Sequence, residues 1–497
     1  MIDILFLFPK TGEDIGASIA PPFGVLCASS LLNKENYKIK VIDQRTDKNW
    51  KNQIKSALKS NPLFVGISTM TGSQIYYALE MAKTVRKNNK DIKIVWGGTH
   101  PTIIPQQTLE NEYVDIIVRG EGEETCLELA KRIEKNKDYS KLKGINLNPQ
   151  RKYLDINKLP ETPWKIINVK KYISKSLYIE GGNKMLDIGE TSRGCPFLCK
   201  FCCSSYIKKG TWRPLTAKNT IKKIINDVTR FNLDSIWIRD DNFYVDLKRN
   251  KEIFKGMIKE KIDIKWYTAG TRIDAFKKMQ PNFIKLLKKS GGNSFKFGAE
   301  SGSDRILKMI NKGQTKQDII NANLKAKRYD LIPAYSFMCG FPTETMKEFL
   351  DTVNLMIKLS KDNSKAILEA LCIFTPHPGT PLFDLAIKHG LKPEKKLDNW
   401  ATYSYYNKAH TPWLNKERRK LLQNAADICI CGGVIKPVIE TIKNPIEKAA
   451  YLAILSPINK YYKYRWENKY FKYDPFLKII RLARKIKLDK TIILSSD

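Results

Sequence analysis

The stretch Gly194-Cys195-Pro196-Phe197-Leu198-Cys199-Lys200-Phe201-Cys202-Cys203 carries three cysteines at C-x3-C-x2-C spacing. An apolar run with the character of a strand precedes it, and glycine and proline beside the first cysteine predict a turn. Thiolates this close together are soft ligands that suit zinc or an iron–sulfur cluster. A closed structural zinc site needs four ligands, whereas a four-iron cluster held by Cys195, Cys199 and Cys202 leaves one iron open.

The same spacing, with aromatic Phe201 before the third cysteine, resembles the signature of the radical S-adenosylmethionine (SAM) enzymes. The resemblance implies that SAM chelates the open iron of a [4Fe–4S] cluster. It also implies that the reduced cluster cleaves SAM to methionine and a 5′-deoxyadenosyl radical. The alternative is a structural zinc knuckle, which is disfavoured because no second C-x2-C pair or histidine follows at zinc-finger distance. We interpret the adjacent Cys203 as a packing residue.

Length and composition bound the remaining expectations. A chain of 497 residues suggests about three domains. Its cysteines show no disulfide framework and its first residues no secretion signal, so we expect a cytoplasmic protein. The net charge of +36 fits a polyanion such as nucleic acid, an anionic membrane, or a generally lysine-rich composition. We favour the last for the body of the chain.

Residues 1–145 alternate short apolar runs with helical patterns. The runs at 2–8, 39–42, 63–67, 92–96 and 116–118 have the length of strands, and residues 73–88 show a helical pattern. This alternation predicts a doubly wound, Rossmann-like parallel sheet. Ligands of such sheets bind at the carboxyl ends of the strands.

The ends of three predicted strands, at 68–71, 97–101 and 119–124, are rich in glycine, hydroxyl and acidic residues. Turn and cap chemistry would explain any one of them. All three in this order resemble the cobalamin-binding domain that precedes many radical SAM domains. The resemblance implies cobalamin contacts from Ser68, Thr69, Thr71, Gly97, Gly98, Thr99, His100, Glu121 and Gly122.

One departure from that family concerns the cobalt ligand. Where histidine-ligated cobalamin enzymes carry an Asp-x-His motif, this chain has Asp43-Gln44-Arg45. Arginine stays protonated and cannot coordinate cobalt. We expect His100 to line the corrin or to close a turn, and not to bind cobalt.

Residues 146–180 contain several prolines and are predicted to link two domains. Residues 181–390 repeat the strand–helix alternation, with runs at 186–189, 235–239, 265–269, 294–298, 334–338 and 367–374. Six such units predict a partial, TIM-like (β/α)6 barrel with its chemistry at the carboxyl ends of the strands. The resemblance to radical SAM enzymes implies SAM contacts from Phe201, Asp240, Asp241, Arg272, Glu300 and Ser301.

Residues 391–497 are predicted to be mainly helical. A basic amphipathic stripe at 476–487 predicts either a peripheral contact with an anionic membrane, on its inner face, or packing on the barrel with solvated lysines.

About 390 residues thus resemble the cobalamin-dependent radical SAM family, and in particular the group similar to the anaerobic magnesium-protoporphyrin cyclase. The resemblance implies methylation of an unactivated carbon of a small-molecule or lipid substrate through methylcobalamin. It also implies an external electron donor similar to flavodoxin or ferredoxin. It assigns no catalytic residue beyond the cluster ligands.

Three alternative functions compete with this interpretation. The sequence does not distinguish a methyltransferase from an oxidative cyclase or from an enzyme that performs another radical rearrangement of a tetrapyrrole- or lipid-like substrate. An RNA-modifying enzyme such as a methylthiotransferase is disfavoured, since the first domain has only Cys27 and Cys126 instead of three further cluster ligands. Nucleic acid is therefore not an expected partner. A cobalamin-binding sensor without catalysis is disfavoured by the three clustered cysteines.

Overall fold

The computed structural model describes residues 1–12, 19–176, 179, 182–403, 411–433, 445–472, 474 and 477. The basic stripe predicted at 476–487 lies outside these residues, apart from Leu477. Within the described residues, the helices are too short or too polar to cross a lipid bilayer.

The first part of the chain forms five short apolar strands, almost wholly buried, as expected when helices cover both faces of a parallel sheet. They are β1 (Ile4–Phe8), β2 (Ile39–Asp43), β3 (Phe64–Ser68), β4 (Ile94–Gly97) and β5 (Ile116–Val118). Their order in the sheet is β2-β1-β3-β4-β5, all parallel. The order reverses between β1 and β3, which creates the crevice where such sheets bind ligands.

Helices cover both faces of this sheet. They are α1 (Phe23–Lys34), α2 (Trp50–Leu58), α3 (Gln74–Asn88), α4 (Thr99–Ile103), α5 (Pro105–Leu109) and α6 (Glu123–Glu134). Helices α1 and α6 share one apolar core with the sheet, and α2 and α3 share another on the opposite face. A proline-containing segment with 3-10 turns at Ile156–Lys158, Trp164–Ile166 and Val169–Tyr172 leads to the second sheet.

The second sheet confirms the predicted partial barrel. The strands that follow the linker are β6 (Met185–Asp187), β7 (Ser192–Gly194), β8 (Trp212–Pro214), β9 (Ser235–Ile238), β10 (Lys265–Thr271), β11 (Gly292–Glu300), β12 (Ile332–Cys339) and β13 (Ile367–Ile373). Six of them form a parallel sheet in the order β13-β12-β11-β10-β9-β6. Strands β7 and β8 pair separately and are antiparallel.

The second group of helices packs around this sheet and beyond it. They are α7 (Cys203–Ile207), α8 (Ala217–Phe231), α9 (Leu247–Lys259), α10 (Ile273–Lys278), α11 (Pro281–Lys289), α12 (Asp304–Met309), α13 (Lys316–Arg328), α14 (Met346–Asp362), α15 (Pro381–Lys388), α16 (Lys416–Gly433) and α17 (Pro445–Glu467). Helices α16 and α17 pack on each other, and α16 lies against β13. Leu422 and Tyr462 of this pair join the core of the second sheet.

After the second sheet, the chain returns to the first one, a feature that the sequence did not predict. The segment 381–403, here called the strap, contains α15 and a 3-10 helix at Leu397–Thr402. Its apolar residues, among them Phe383 and Trp400, pack into the same core as α2 and α3. Trp400 is 1% exposed, and its indole Nε1 donates a hydrogen bond to Gln107 Oε1 at 2.8 Å.

Replacing Trp400 with alanine tests the strap. The change removes a buried ring from the core of the first sheet, and Trp→Ala in a core costs about 3–5 kcal/mol. We expect a clearly lower thermal midpoint in calorimetry and faster proteolysis of the strap. Leu147→Ala, at a side chain that is 56% exposed, is the matched control and should leave both nearly unchanged. Equal midpoints for the two variants would contradict the docking of the strap.

Candidate functional site

The loop that carries the three cysteines, residues 195–211, is here called the cluster loop. It is closed at its base by β7 and β8. Ser192 pairs with Pro214, and Gly194 pairs with Trp212. Gly194 has φ of 88°, and a Cβ atom there would lie 2.1 Å from the carbonyl oxygen of Thr211. Only glycine allows the chain to enter the loop at this angle.

Backbone hydrogen bonds fix the loop against the rest of the second unit. The amide of Lys200 donates to the carbonyl of Ile310 at 2.9 Å, and the carbonyl of Lys200 accepts from Leu382 at 3.1 Å. The amide of Cys202 donates to the carbonyl of Cys199 at 3.0 Å. The cluster loop is thereby held between the end of α12 and the start of α15.

Two of the three predicted ligand sulfurs accept polar contacts. Arg272 Nη1 donates to Cys199 Sγ at 3.3 Å, and Asn242 Nδ2 lies 3.9 Å from Cys195 Sγ. Burial raises the pKa of the Cys195 thiol, against the lowering effect of hydrogen bonds from Phe197 and Asn242. Donors of this kind stabilise a thiolate.

Among the described residues, no three His, Cys, Asp or Glu side chains converge as ligands of a single metal ion. The three thiolates of a four-iron cluster each bind a different iron atom, so their sulfurs need not converge on a single ion.

Three of the residues predicted to contact SAM lie beside the cluster loop. The guanidinium of Arg272 stacks on the ring of Phe197 at 3.8 Å. Glu300 Oε1 forms an ion pair with Lys312 Nζ at 2.6 Å, and that ammonium also lies 5.6 Å from the ring centroid of Phe201. Arg272, Glu300 and Phe201 are therefore brought together.

Glu300 has a left-handed backbone, with φ of 67°, at the end of β11. A non-glycine residue in this conformation costs about 1–3 kcal/mol and persists where its surroundings hold it. The register of β11 shifts between Gly298 and Glu300, and the buried ammonium of Lys312 holds the carboxylate. Lys312 was not predicted as a site residue, although it lies in the sequence run 297–314 that is typical of the family.

The other residues predicted to contact SAM have different surroundings. Asp240 is buried and accepts four hydrogen bonds from the amides and hydroxyls of Thr191 and Ser192, so that it anchors the start of β7. Ser301 is buried under α14, with its hydroxyl 3.2 Å from that of Thr352. Asp241 lies at the edge of a large cavity, where Ser204 Oγ donates to it at 2.6 Å.

That cavity has a volume of about 1020 Å³ and lies between the carboxyl ends of the two sheets. Seven of the residues predicted to contact cobalamin line it, and two, Thr69 and His100, do not. The seven are Ser68, Thr71, Gly97, Gly98, Thr99, Glu121 and Gly122. Residues from the second unit complete the wall, among them Cys203, Lys208 and His377.

The cavity also extends into the first unit as a slot between its sheet and helices α1 and α6. Phe6, Gly66 and Val95 line this slot, and a Cβ atom on Gly66 would lie 2.5 Å from the ring of Phe6. Ser30 Oγ is buried at the slot without a hydrogen-bond partner among the described residues. A broad opening with a narrow apolar slot and an unpaired hydroxyl fits a corrin ring with its nucleotide tail.

His100 lies away from this cavity because α4 turns inward after Gly98, which has φ of 101°. Its amide donates to the carbonyl of Thr69 at 3.2 Å, and its Nδ1 lies 2.9 Å from Thr71 Oγ1. Its ring packs on Trp400 of the strap, with the centroids 5.9 Å apart. Burial lowers the pKa of His100 to about 3, so that the imidazole is neutral.

Arg45, at the position of the missing histidine, also points away from the cavity. It forms an ion pair with Asp43 at 2.7 Å, and its guanidinium lies 4.3 Å from the ring centroid of Phe8. The hydroxyl of Tyr172 donates to the same aspartate at 2.8 Å. Arg45 thus closes the end of β2.

Sequence reasoning missed two arginines that join the sheets, Arg193 and Arg213. Both contact Glu121, which lines the cavity. Burial alone would raise the pKa of Glu121, but the hydrogen bond from Arg213 and the charge of Arg193 lower it. Nothing in the local sequence marks these arginines as links between the sheets, because Glu121 and Glu123 lie about 70 to 90 residues before them.

Two family models match the chain: the radical SAM superfamily over residues 190–356 and the B12 binding domain over residues 16–130. An uncharacterized methyltransferase of Pyrococcus horikoshii is 32% identical over 418 residues, which cover 81% of this chain and 86% of that protein. The anaerobic magnesium-protoporphyrin IX monomethyl ester cyclase of Cereibacter sphaeroides is 26% identical over 421 residues, which cover 81% of this chain and 66% of the cyclase.

The fold is similar to that of a solved cobalamin-dependent S-adenosylmethionine radical enzyme, OxsB. The TM-score is 0.71 at 19% identity, with 98% of this chain and 75% of that chain covered. At this identity, the likeness shows a common fold.

The buried, neutral His100 predicts a pH dependence of stability. Below its ordinary pKa of 6.5 the unfolded chain binds a proton that the folded chain excludes down to about pH 3. The free energy of unfolding should therefore fall as the pH drops through this window, by up to about 1.4 kcal/mol per pH unit for this residue. His100→Gln should show a shallower loss between pH 6.5 and 5 in thermal denaturation, and Leu147→Ala, which changes no titratable group, should keep the wild-type slope. Parallel slopes for the wild type and His100→Gln would contradict the assignment.

Proposed function

The chain belongs to the radical SAM family whose members carry a B12-binding domain, and we propose that it methylates an unactivated carbon of a small molecule or lipid. The observation that carries the proposal is a cavity bounded on one side by the cobalamin-type loops and on the other by α7 and Lys208 of the cluster loop. The cluster cysteines and the residues assigned to SAM do not line this cavity themselves, but α7 begins directly after Cys202. A radical source at the loop would therefore border the space that would hold the methyl donor, so that both could act on one carbon atom.

The cofactors of this family are a [4Fe–4S] cluster, SAM and cobalamin. Bound to this chain, the cluster with SAM would supply a hydrogen-abstracting radical and cobalamin would supply the methyl group. The protein must hold these groups in line and keep water out, so that the radical meets only the substrate.

We assign Cys195, Cys199 and Cys202 as the cluster ligands. The rigid backbone of the loop and the contacts of Arg272 and Asn242 with two of the sulfurs support this assignment. Hydrogen bonds to ligand sulfurs tune the reduction potential of a cluster.

For SAM, we assign Phe201, Arg272 and the Glu300–Lys312 pair. SAM carries an amino group, a carboxylate and a ribose, so that it needs both charges and an acceptor for hydroxyl groups. The ammonium of Lys312 and the carboxylate of Glu300, 2.6 Å apart beside the loop, supply the two charges, and the carboxylate can also accept hydrogen bonds from hydroxyl groups. To bind SAM, this ion pair must either open or contact the ligand as a pair. We assign Asp240 and Ser301 as supports of the site, because their polar atoms are already engaged.

For cobalamin, the glycines of the first unit leave room for a flat ring, and the hydroxyls around them could donate hydrogen bonds to its amide side chains. The slot beside Gly66 would take the nucleotide tail, and Ser30 would supply a polar contact inside it. Arg45 and His100 lie outside the cavity, so we do not assign either as a cobalt ligand.

The substrate is proposed to lie between these groups, against α7 and the segment after β13. Ser204, Lys208 and Asp241 border this space, with Lys208 Nζ 3.7 Å from Asp241 Oδ2, and His377 lies on the far wall. Methyl transfer is favoured over cyclisation because the methyltransferase relative is 32% identical over 86% of its length. The cyclase relative is less similar and has further residues that this chain does not match.

The proposal includes an external one-electron donor, since none of the assigned residues can reduce a cluster. A peripheral contact with an anionic membrane rests on the basic stripe at 476–487 and so on sequence alone.

Anaerobic reconstitution with iron, sulfide and cobalamin tests the proposed function. After reduction and addition of SAM, the wild type should form both 5′-deoxyadenosine and S-adenosylhomocysteine. Cys195→Ala, Cys199→Ala and Cys202→Ala should each lose most of the bound iron and form no 5′-deoxyadenosine, because three thiolates hold the cluster. Cys203→Ala is the matched control for the iron content. A wild type that binds cobalamin but cleaves no SAM would reject the enzyme in favour of a sensor.

Replacing Gly97 with phenylalanine tests the cobalamin site. A Cβ atom at this position makes only ordinary contacts, 3.7 Å from the carbonyl oxygen of Val118, so that the backbone tolerates a side chain. A phenyl ring would occupy the cavity, and we expect cobalamin binding, measured by absorbance titration, to weaken by about 100-fold, or about 2.7 kcal/mol. Gly97→Ala is the control of smaller volume and should lose much less affinity. The iron content of both variants should match the wild type, and equal cobalamin affinity for the two would refute the site.

A further inference from the structure

Two arginines stand directly opposite each other on the hairpin that closes the cluster loop. Arg193 of β7 is in register with Arg213 of β8. Like charges in this position repel and destabilise an antiparallel pair. Both side chains are mostly buried, at 11% and 18% exposure, so that water screens the repulsion poorly. The hairpin therefore needs anions from elsewhere in the chain.

The first unit provides these anions from the loop after β5 and from the first residue of α6. Arg193 Nη2 lies 2.7 Å from Glu123 Oε1, and its Nη1 lies 3.4 Å from Glu121 Oε1. Arg213 Nη1 donates to Glu121 Oε2 at 3.1 Å, and its Nη2 contacts Glu121 Oε1. Glu121 thus lies between the two arginines and joins them to the first sheet.

Arg193 contacts one further carboxylate, and Arg213 also contacts the segment that links the two sheets. Arg193 Nε lies 3.2 Å from Glu190 Oε2, and Arg213 donates to the carbonyl of Leu154 at 2.7 Å. Its guanidinium also stacks on Tyr153, at 4.5 Å from the ring centroid. Each planar guanidinium is thereby fixed in more than one direction, which a lysine could not achieve.

The two ends of this network carry the two cofactor sites. The hairpin leads from Gly194 directly into Cys195, while Glu121, Glu123 and Arg193 all line the large cavity. A shift of the hairpin against the loop after β5 would move the cluster loop relative to the cobalamin-type glycines. The forked pair of Arg213 with Glu121 is directional and resists such a shift better than apolar contacts would, and the ion pairs of Arg193 with Glu121 and Glu123 add to it.

We propose that Arg193 and Arg213, held by Glu121 and Glu123, are positioning residues that set the distance between the cluster and the corrin ring. This inference rests on the proposed function, since it needs both cofactors on one chain. The four residues move no proton or electron. They fix the geometry in which a radical formed at one cofactor and a methyl group carried by the other reach the same carbon.

Pulsed EPR on the doubly loaded protein tests the proposal. The reduced cluster and cob(II)alamin are both paramagnetic, and their dipolar coupling reports the distance between them. The wild type should give one narrow distance distribution. Arg193→Gln should broaden or shift it, and Arg193→Lys, which keeps the charge but loses the planar group that reaches three carboxylates, should lie between the two. Glu121→Gln, a milder change that keeps the shape, should broaden it as well.

The amounts of the two products formed from SAM give a second measurement beside the distance. A misplacement of about 1 Å can cost about 100-fold in rate, so that formation of S-adenosylhomocysteine from SAM should fall by about tenfold to 100-fold in Arg193→Gln. This loss should exceed that of 5′-deoxyadenosine, because the latter needs only the cluster and SAM. Arg132→Gln removes a charge of the same kind from a surface pair with Glu128 and is the matched control.

The outcomes separate the two proposals. A wild type without a cob(II)alamin signal would overturn the proposed function and this inference with it. A wild type with both signals, and an Arg193→Gln variant whose distance distribution and product ratio match it, would overturn the inference alone. If Arg193→Gln fails to retain the cluster, the same comparison on Arg193→Lys and Glu121→Gln decides, and unchanged distances there would reject the role.

Discussion

Two parallel sheets point the carboxyl ends of their strands at each other, and this constraint creates the cavity. Parallel strands end in loops on one edge of a sheet, so that the polar and glycine-rich residues of each unit collect there. When the two edges meet, their loops cannot pack as tightly as helices on a sheet. The space between them is lined by the glycines of the first unit and by α7 of the second. The positions of the seven cobalamin-type residues at the cavity follow from this opposition, whereas Thr69, His100 and the cluster cysteines lie outside the lining.

The electrostatics of the interior differ from those of the surface. The chain carries a net charge of +36, yet the charged groups around the cavity are largely paired with neighbours of the opposite sign. Buried pairs contribute specificity of geometry more than net stability, because their desolvation cost offsets much of their attraction. We therefore infer that the ion pairs between the sheets fix the position of one unit relative to the other.

Much of this arrangement could be predicted from the sequence, because it depends on local signals. Apolar runs in the sequence predicted the strands: β5 lies at the predicted residues, and β1 begins two residues later than predicted. The cysteine spacing and the strand-end glycines identified the family. The return of the strap to the first sheet was not predictable, since its packing partners lie some 300 residues away and no motif marks Trp400. The same holds for Arg193, because its partners Glu121 and Glu123 lie about 70 residues away in the sequence. It also holds for His100, whose ring turns away from the cavity with α4.

The strap has a consequence for synthesis on the ribosome. The sheet of the first unit is complete by residue 118 and α2 and α3 cover one of its faces, but the apolar core on that face is completed by residues that end at 403. At translation rates of about 5–20 residues per second, this core waits roughly 15 to 60 s for its last residues. During that interval the apolar surface that the strap later covers is available to chaperones or to other chains. The N-terminal unit would thus reach its final stability late, and a chain cut before the strap would leave part of this core exposed.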